Sequence, residues 1–353
     1  MKETRIKLVW GMLLIAALGM MTEASAQSRG RRGGSSAVTY EIAYDAPYDI
    51  NKLWVMFQPV YGELFTSNVN MGFGAEVHYL LANEPKGFFM DFRAHARTAY
   101  GRKFDLERDI ALGSGNIPNS NLDNVPNIYS YYELGATYHI KDMDKTTTAR
   151  FPLIRSKKEE AWKSTVPDHI IVPATVRHIY GARAGGMAYR TTVDLDRIIE
   201  EKGYTLTTAE GDTINTDQSL FGNVTGIGFY LGGSFGSIKN AAVLPDRNYA
   251  DVTSDLIFNA YLDIIYMPLL ELDDLVETAN GVTSTYSSMP VELQNFGVRA
   301  GIDGKFNRTL SWAYNFETGW RPSVRGRNFY ALLKISFPVY STEMNNEKES
   351  FGK

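Results

Sequence analysis

The sequence predicts an all-β protein, an antiparallel transmembrane β-barrel of about ten strands, with eight to twelve strands compatible with the pattern. Three observations lead to this fold class. The N-terminus has the features of an export signal, most of the chain alternates apolar and polar residues with a period of two, and no later segment is apolar enough for a membrane helix. The composition agrees, because 31 Gly, 21 Tyr and 18 Phe without cysteine favour many strands and turns.

The N-terminus predicts the compartment. Basic residues in MKETRIK come before an apolar run at residues 8–21, and the small residues ASA at 24–26 form a cleavage site. We therefore expect a signal peptide at 1–26 and a flexible leader at 27–51. The chain has no cysteine, so the signal is not a lipoprotein signal and the fold uses no disulfides or thiolate metal sites.

Helical membrane insertion and nucleic-acid binding are both disfavoured. The best later candidate for a helix, LIFNAYLDIIYMPLL, is interrupted by Asn259, Asp263 and Pro268. The formal net charge is only −4, and the one basic cluster, RGRRGG at 29–34, lies in the Gly/Ser-rich leader. We expect no nucleic-acid partner.

Alternation is clearest in RTLSWAYNFETGW. Leu310, Trp312, Tyr314, Phe316 and Trp320 share one face, and small or polar residues share the other. Together with this segment, nine others of the same kind predict ten strands. The predicted strands are 52–60, 71–81, 86–100, 127–140, 173–190, 225–236, 255–267, 293–303, 308–320 and 329–337.

The connections between these strands alternate in length, as in outer-membrane barrels with short periplasmic turns and longer external loops. If the first strand leaves the periplasm, the short turns are 82–87 and 305–308, and the external loops are 101–126, 191–219, 268–290 and 321–327. Two connections on the periplasmic side are too long for this pattern, 141–172 and 237–254. Either the strand count differs there, or the chain carries a periplasmic insertion at 141–172, in which RSKKEEAW at 155–162 could form a short helix.

The alternation by itself leaves open whether the apolar face contacts lipid or a core, since a soluble sandwich or a lipocalin-like barrel also alternates. The polar face is rich in Gly, Asn, Tyr and paired charges, as expected of a crowded lumen rather than of a solvated sheet. Trp312 and Trp320 lie near the two ends of one apolar face, where aromatic rings favour membrane interfaces. We therefore expect the aromatic faces to contact lipid.

The end of the barrel region resembles a known class. Phe329, Ala331, Leu333, Ile335 and Phe337 alternate to a final aromatic residue, which is similar to the C-terminal strand of bacterial outer-membrane barrels. With the signal peptide and the aromatic strands, residues 52–338 resemble the outer-membrane barrels of Bacteroidota-type bacteria. The resemblance implies the fold and a location in the bacterial outer membrane. It does not carry over any catalytic residue. Here a polar tail at 339–353 follows, where that class stops at the aromatic residue.

The opposite parity predicts a lumen filled by ion pairs. A hairpin with Leu81 opposite Phe88 would place Glu76 opposite Arg93 and His78 opposite Asp91. The predicted lumen charge network consists of Glu76, His78, Asp91, Arg93, His95, Arg97, Glu133, Arg299, Asp303 and Glu317. With the other lumen charges, seven positive residues oppose six negative ones: Lys52, Arg93, Arg97, Arg177, Arg183, Arg299 and Lys334 against Glu76, Asp91, Glu133, Asp263, Asp303 and Glu317. Buried charges must be paired, so this balance favours a plugged barrel over an open pore.

No residue pattern indicates catalysis, a cofactor or a metal. No local Ser–His signature accompanies His78 or His139, and we interpret all five histidines as structural residues: His78, His95, His139, His169 and His178. The predicted function is therefore a non-enzymatic structural or accessory subunit of an envelope, secretion or surface-display complex. Its expected partners are outer-membrane lipid and envelope proteins that contact 141–172 and 339–353. A small-solute channel is the alternative, and a surface lipid hydrolase is the third hypothesis.

Overall fold

The computed structural model describes most of the chain after residue 38. The described residues are 39–47, 50–65, 68–81, 92–105, 110–112, 122–123, 128–152, 169–215, 219–245, 252–306 and 312–342. The expected signal peptide, the helix at 155–162 and most of the polar tail lie outside these residues.

Ten long strands of the described chain form a closed antiparallel barrel. Each strand pairs with the next along the chain, and the last pairs with the first, so the sheet has no open edge at the barrel wall. The barrel strands are β1 (Asn51–Phe65), β2 (Asn68–Leu81), β3 (Phe92–Asp105), β4 (Tyr129–Pro152), β5 (His169–Asp194), β6 (Phe221–Lys239), β7 (Leu256–Leu272), β8 (Phe296–Phe306), β9 (Ala313–Trp320) and β10 (Phe329–Ser341). The predicted strand number is confirmed.

The two ends of the barrel differ in their connections. At the end that contains the first residue of β1 and the last of β10, called the terminal end, short strands form a three-stranded sheet: Tyr40–Asp45, Ala241–Pro245 and Val252–Ser254. The opposite end, called the loop end, contains helix α1 (Leu195–Lys202) and the short strands Ile110–Leu112, Leu275–Ala279, Val282–Tyr286, Leu293–Gln294 and Ser323–Val324. Among the described residues, no helix is both long and apolar enough to cross a membrane.

The apolar parity of the strands faces outward. Leu134 is 68% exposed, Phe296 62% and Met71 61%, although each lies on a strand that is paired on both sides. The charged parity faces inward, and Lys52, Glu133 and Arg299 are fully or almost fully buried. A soluble barrel has the reverse arrangement, so this chain is a transmembrane β-barrel, as the alternating aromatic residues predicted.

Outward-facing aromatic rings form two groups, one near each end. Near the loop end, Tyr100 contacts Phe73 and Tyr132, and Trp320 contacts Phe329. Near the terminal end, ring contacts join Phe306, Trp312 and Tyr314, and also Tyr180 and Phe235. Trp312 and Trp320 are 45% and 49% exposed. These groups are positioned as the two aromatic girdles of a membrane barrel.

Strands β4 and β5 continue past the barrel as a paired hairpin, called the arm (141–152 and 169–176). Its register runs to the Pro152–His169 pair, so much of the segment expected as an insertion is an extension of two barrel strands. The three-stranded sheet packs on the arm through a separate apolar core that includes Phe151, Val172 and Val243. Residues 153–168 lie outside the described part of the chain.

The hairpin register predicted for β2 and β3 is wrong. Leu81 pairs with Phe92 rather than Phe88, so Glu76 lies opposite Arg97, and His78 lies opposite His95. The connection is longer than the ANEPKG turn, and the register differs by four residues. An even shift keeps every side chain on its own face, so alternation cannot detect it.

Candidate functional site

The centre of the lumen contains a cluster of buried charges, called the central network (Arg97, Glu133, Arg183, Asp263, Arg299 and Glu317). Strand register places Arg97 opposite Glu133 and Arg299 opposite Asp263, and each of these residues lies on the inward parity. The carboxylate of Glu133 accepts hydrogen bonds from Arg299 Nη2 at 2.7 Å and Nη1 at 3.0 Å. It also accepts one from Arg97 Nε at 2.5 Å, so one carboxylate joins two guanidinium groups.

Two further carboxylates complete this cluster. Arg299 Nε donates to Asp263 at 2.8 Å, and Arg183 Nε donates to the other oxygen of Asp263 at 3.0 Å. Arg97 Nη2 donates to Glu317 at 2.9 Å. Three arginines therefore share three carboxylates that lie on opposite walls of the barrel. These side chains link the walls across the lumen, and they satisfy one another's charges and hydrogen-bonding groups without bulk water.

Tyrosines fill the space around these charges. The hydroxyl groups of Tyr261 and Tyr330 donate to Glu317 at 2.8 and 2.6 Å. The guanidinium carbon of Arg299 lies 4.2 Å from the ring centroid of Tyr230, and that of Arg183 lies 4.1 Å from the ring centroid of Tyr261. These rings add cation–π contacts to the ion pairs and exclude solvent from them.

A second charged layer lies nearer the loop end. Arg321 Nη2 donates to Glu63 at 2.7 Å, the hydroxyl of Tyr129 donates to the same oxygen at 2.9 Å, and Arg321 stacks 4.2 Å above the ring centroid of Tyr330. Sequence reasoning missed both Glu63 and Arg321. Glu63 follows a register irregularity between Gln58 and Tyr61, which changes the inward parity of β1. Arg321 follows β9 directly and was assigned to an external loop.

A third group of charges lies toward the terminal end. Lys334 forms an ion pair with Glu76, and Ser336 donates to the same carboxylate at 3.1 Å. His78 Nε2 lies 3.4 Å from Glu76. Beside these residues is a cavity of about 30 Å³, which offers room for about two water molecules.

Apolar layers cover the charges at both ends. Toward the terminal end, Trp54, Met56 and Leu80 pack with Ile179, Ile238 and Ile257 across the lumen. At the loop end, α1 and the connecting segments form a larger core with side chains from β1, β4, β5 and β6. In the described part of the chain, side chains therefore fill the lumen apart from the small cavity beside Glu76.

The structure brings most of the predicted lumen residues together. Glu133, Arg97, Arg299 and Glu317 belong to the central network, and His95 Nε2 lies 3.0 Å from Glu133. The rings of His78 and His95 stack with centroids 5.9 Å apart, which links the central network to the Glu76 group.

Of the remaining predicted residues, Asp303 is the one whose side chain the structure describes. Asp303 lies nearer the terminal end, where its carboxylate accepts a hydrogen bond from Asn259 Nδ2 at 2.8 Å and lies 3.7 Å from the ammonium group of Lys305. Arg93 pairs through its backbone with Leu80 and Thr137, and its side chain is outside the described set. Asp91 also lies outside the described residues. Among the described side chains, no three His, Asp or Glu residues are grouped to hold a metal ion.

Gly135 leaves the space in which His95 and Tyr230 meet. A Cβ at this position would collide with the Tyr230 hydroxyl and lie 3.0 Å from His95 Cε1. We expect Gly135→Ala to lower the free energy of unfolding by about 1–3 kcal/mol, because the packed interior has no room for a methyl group. Urea unfolding in detergent micelles, followed by tryptophan fluorescence, measures this loss.

Gly186→Ala is the matched control for Gly135→Ala. Its Cβ would point outward and lie 3.8 Å from the nearest heavy atom, the carbonyl oxygen of Gly228. We expect this variant to unfold at nearly the wild-type urea concentration. Equal losses for the two alanine variants would contradict the packing assigned to His95 and Tyr230.

Comparisons with known proteins give little further information about the fold. Neither a protein-family model nor the sequence of a curated protein matches this chain. One similar solved structure is the TodX deltaS2S3 mutant monoaromatic hydrocarbon channel, with 9% identity, 81% of this chain and 90% of that chain covered, and a TM-score of 0.22. Another is Pseudomonas putida OprB, with 10% identity, 86% and 94% covered, and a TM-score of 0.18. At such TM-scores, the barrel assignment rests on the strand pairing and burial described above.

Proposed function

We propose that this chain is a non-conducting barrel of the bacterial outer membrane that serves as a structural or accessory subunit of an envelope, secretion or surface-display complex. The observation that carries the proposal is the filled lumen. A passage through it would have to separate Glu133, Asp263 and Glu317 from their arginine partners. Breaking one buried pair costs about 3–5 kcal/mol, so spontaneous opening of several is rare.

The orientation follows from the two ends of the barrel. We assign the terminal end to the periplasm, since both ends of the barrel segment and the arm lie there, while the longer connections lie at the loop end. The sheet that includes Ala241–Pro245 covers Val172 on the arm, a position on the same parity of β5 as the lipid-facing residues. The membrane boundary therefore falls between this covered segment and Tyr180, whose ring is 44% exposed.

The arm and the last residues of β10 are the surfaces that we assign to partner proteins. Ile171 on the arm is 50% exposed, and Val339 and Tyr340 at the end of β10 are 68% and 57% exposed. Ile171 lies on the arm beyond the membrane boundary, where an apolar side chain contacts water unless a partner covers it, and Val339 and Tyr340 lie at the terminal end of β10. Exposed apolar residues of this kind are typical of protein–protein interaction sites.

Conductance in planar lipid bilayers tests the filled lumen. We expect the folded wild-type barrel to give no stepwise conductance, because its ion pairs and apolar layers leave no continuous aqueous path. Folding is checked first by the heat-dependent shift in gel mobility. Reproducible single-channel steps would favour the alternative, a small-solute channel, and would overturn the proposed accessory role as a closed barrel.

Gentle extraction tests the accessory role itself. We expect the tagged chain, purified from its native membranes in mild detergent, to elute with other envelope proteins in a larger assembly. Ile171→Asp and Val339→Asp should each reduce the co-eluting protein several-fold, because a carboxylate in an apolar contact carries a desolvation cost.

Val282→Asp is the matched control for these two substitutions. Val282 is 66% exposed in a hairpin at the loop end, away from the proposed contact surface. It should leave the assembly intact. A solitary wild-type barrel after mild extraction would contradict the accessory role, as would equal losses for all three variants.

The third hypothesis, a surface lipid hydrolase, has no support in the position of its candidate residue. His95 is 7% exposed, and its Nε2 lies 3.0 Å from Glu133 and 3.1 Å from the hydroxyl of Tyr230 in the centre of the lumen. A lipid substrate at the outer surface cannot reach this nitrogen without rearrangement of the central network.

A further inference from the structure

The lipid-facing wall has a groove that crosses β2 to β6. Its volume is about 610 Å³, and small outward-facing residues form much of its floor. Bulky side chains stand beside it. The residues that define it are Ala75, Ala96, Thr98, Leu134, Gly186 and Ala188.

Strand register places a basic cluster directly above this groove, toward the loop end. Thr98 and Ala188 both pair with Tyr132, and the next outward-facing row contains Tyr100 and Arg190. Successive outward residues on one strand are about 7 Å apart, within reach of an arginine side chain. Arg102 follows Tyr100 on β3 with the same outward parity.

The two arginines are available to a ligand. Arg102 and Arg190 are both exposed, and neither forms an ion pair with a described residue. Tyr100 and Tyr132 join through a hydroxyl–hydroxyl hydrogen bond of 2.8 Å and belong to the aromatic group near the loop end. The arginines therefore lie at the depth of lipid headgroups, just beyond the aromatic residues of the membrane interface.

We propose that this surface binds an anionic membrane lipid with a phosphate-bearing headgroup. One acyl chain lies in the groove, and the headgroup phosphate contacts Arg102 and Arg190, with the hydroxyl groups of Tyr100 and Tyr132 beside it. Two observations favour a lipid as the occupant. The groove is continuous with the hydrocarbon-facing wall, and the two positive charges occur at one end of it only, which complements the shape and charge of a phospholipid.

Lipid titration of the full-length protein tests this site. The protein in neutral detergent is titrated with phosphatidic acid or phosphatidylcholine, and bound lipid is counted by native mass spectrometry. We expect tighter binding of phosphatidic acid. Arg102→Gln and Arg190→Gln should each weaken that binding about fivefold, the usual contribution of one basic residue at a membrane surface. The control is the double variant Lys141→Gln/Lys145→Gln, which removes two exposed charges toward the terminal end. It should leave the binding of phosphatidic acid unchanged.

The groove is tested separately by filling it. A side chain at Gly186 fits the backbone, as its Cβ would make only an ordinary contact with Gly228, so Gly186→Leu should fold and reduce the binding of both lipids. Ala136→Leu, on the same outer face but outside the groove, is the control. Equal binding of the two wild-type lipids would overturn the proposal, as would arginine variants that bind like the wild type. The comparison of phosphatidic acid with phosphatidylcholine on the wild-type protein tests the proposal even if a variant does not fold.

Discussion

Glu133→Gln should destabilise the barrel by about 3–5 kcal/mol, because it removes the carboxylate that two buried arginines share. Glu133 accepts from Arg299 at 2.7 and 3.0 Å and from Arg97 at 2.5 Å, and its side chain is fully buried. Glutamine preserves the shape of the side chain but not the charge. The measurement is the urea midpoint of the protein in detergent micelles, converted to a free energy of unfolding.

Two controls make this result specific to the ion pairs. Glu210→Gln removes an exposed carboxylate in the connection after α1 and should change the midpoint little. The double variant with Arg299→Gln should cost less than the sum of its two single variants, by about 0.5–3 kcal/mol, since each single change leaves a charge without its partner. Additive losses, or a Glu133→Gln loss below about 1 kcal/mol as for surface pairs, would contradict a dry lumen.

Trp54→Ala should cost about 3–5 kcal/mol through a different mechanism, the loss of packing in the apolar layer near the terminal end. Trp54 is 2% exposed and packs with Met56, Leu80 and isoleucines from the opposite wall. The ammonium groups of Lys52 and Lys305 each lie 5.7 Å from its ring centroid, so their cation–π contacts disappear as well. Thermal unfolding in the same detergent, monitored by gel mobility, measures the loss of stability of Trp54→Ala.

Trp312→Ala is the matched control for this prediction. Trp312 is 45% exposed on the outer face, so lipid or detergent fills the space that alanine leaves. The loss of stability caused by Trp312→Ala should be clearly smaller than that caused by Trp54→Ala. Similar losses for the two variants would mean that the layer around Trp54 is loosely packed, and the closed lumen would then lose one of its two apolar barriers.

Particular residues show where sequence reasoning succeeded in the lumen and where it did not. Glu133, Arg299 and Glu317 were predicted as lumen charges because they lie on the polar parity of long, regular strands. Glu63 was missed because the predicted strand ended at residue 60, whereas β1 continues to Phe65 after an irregularity that changes its parity. Pro59 lies in this irregular segment, which is where a residue without a backbone N–H is tolerated in a sheet.

The sequence by itself determined the class of fold and the direction of each face. Alternation of apolar and polar residues is a local property with a period of two, so it predicts the strands and sorts their side chains onto two faces. The Gly, Asn, Tyr and paired charges of the polar face, together with the positions of Trp312 and Trp320, then indicate that the apolar face contacts lipid. The ten predicted strands and the outward Trp312 and Trp320 follow from these two patterns.

Only the tertiary structure decided which charges meet. Pairing across the lumen depends on strand register and on closure of β10 against β1, and registers that differ by an even number of residues keep the same faces. Glu76 was therefore expected opposite Arg93, but it lies opposite Arg97 and forms its ion pair with Lys334, which is 258 positions away in the chain. Such contacts between distant residues depend on geometry, which local patterns do not specify.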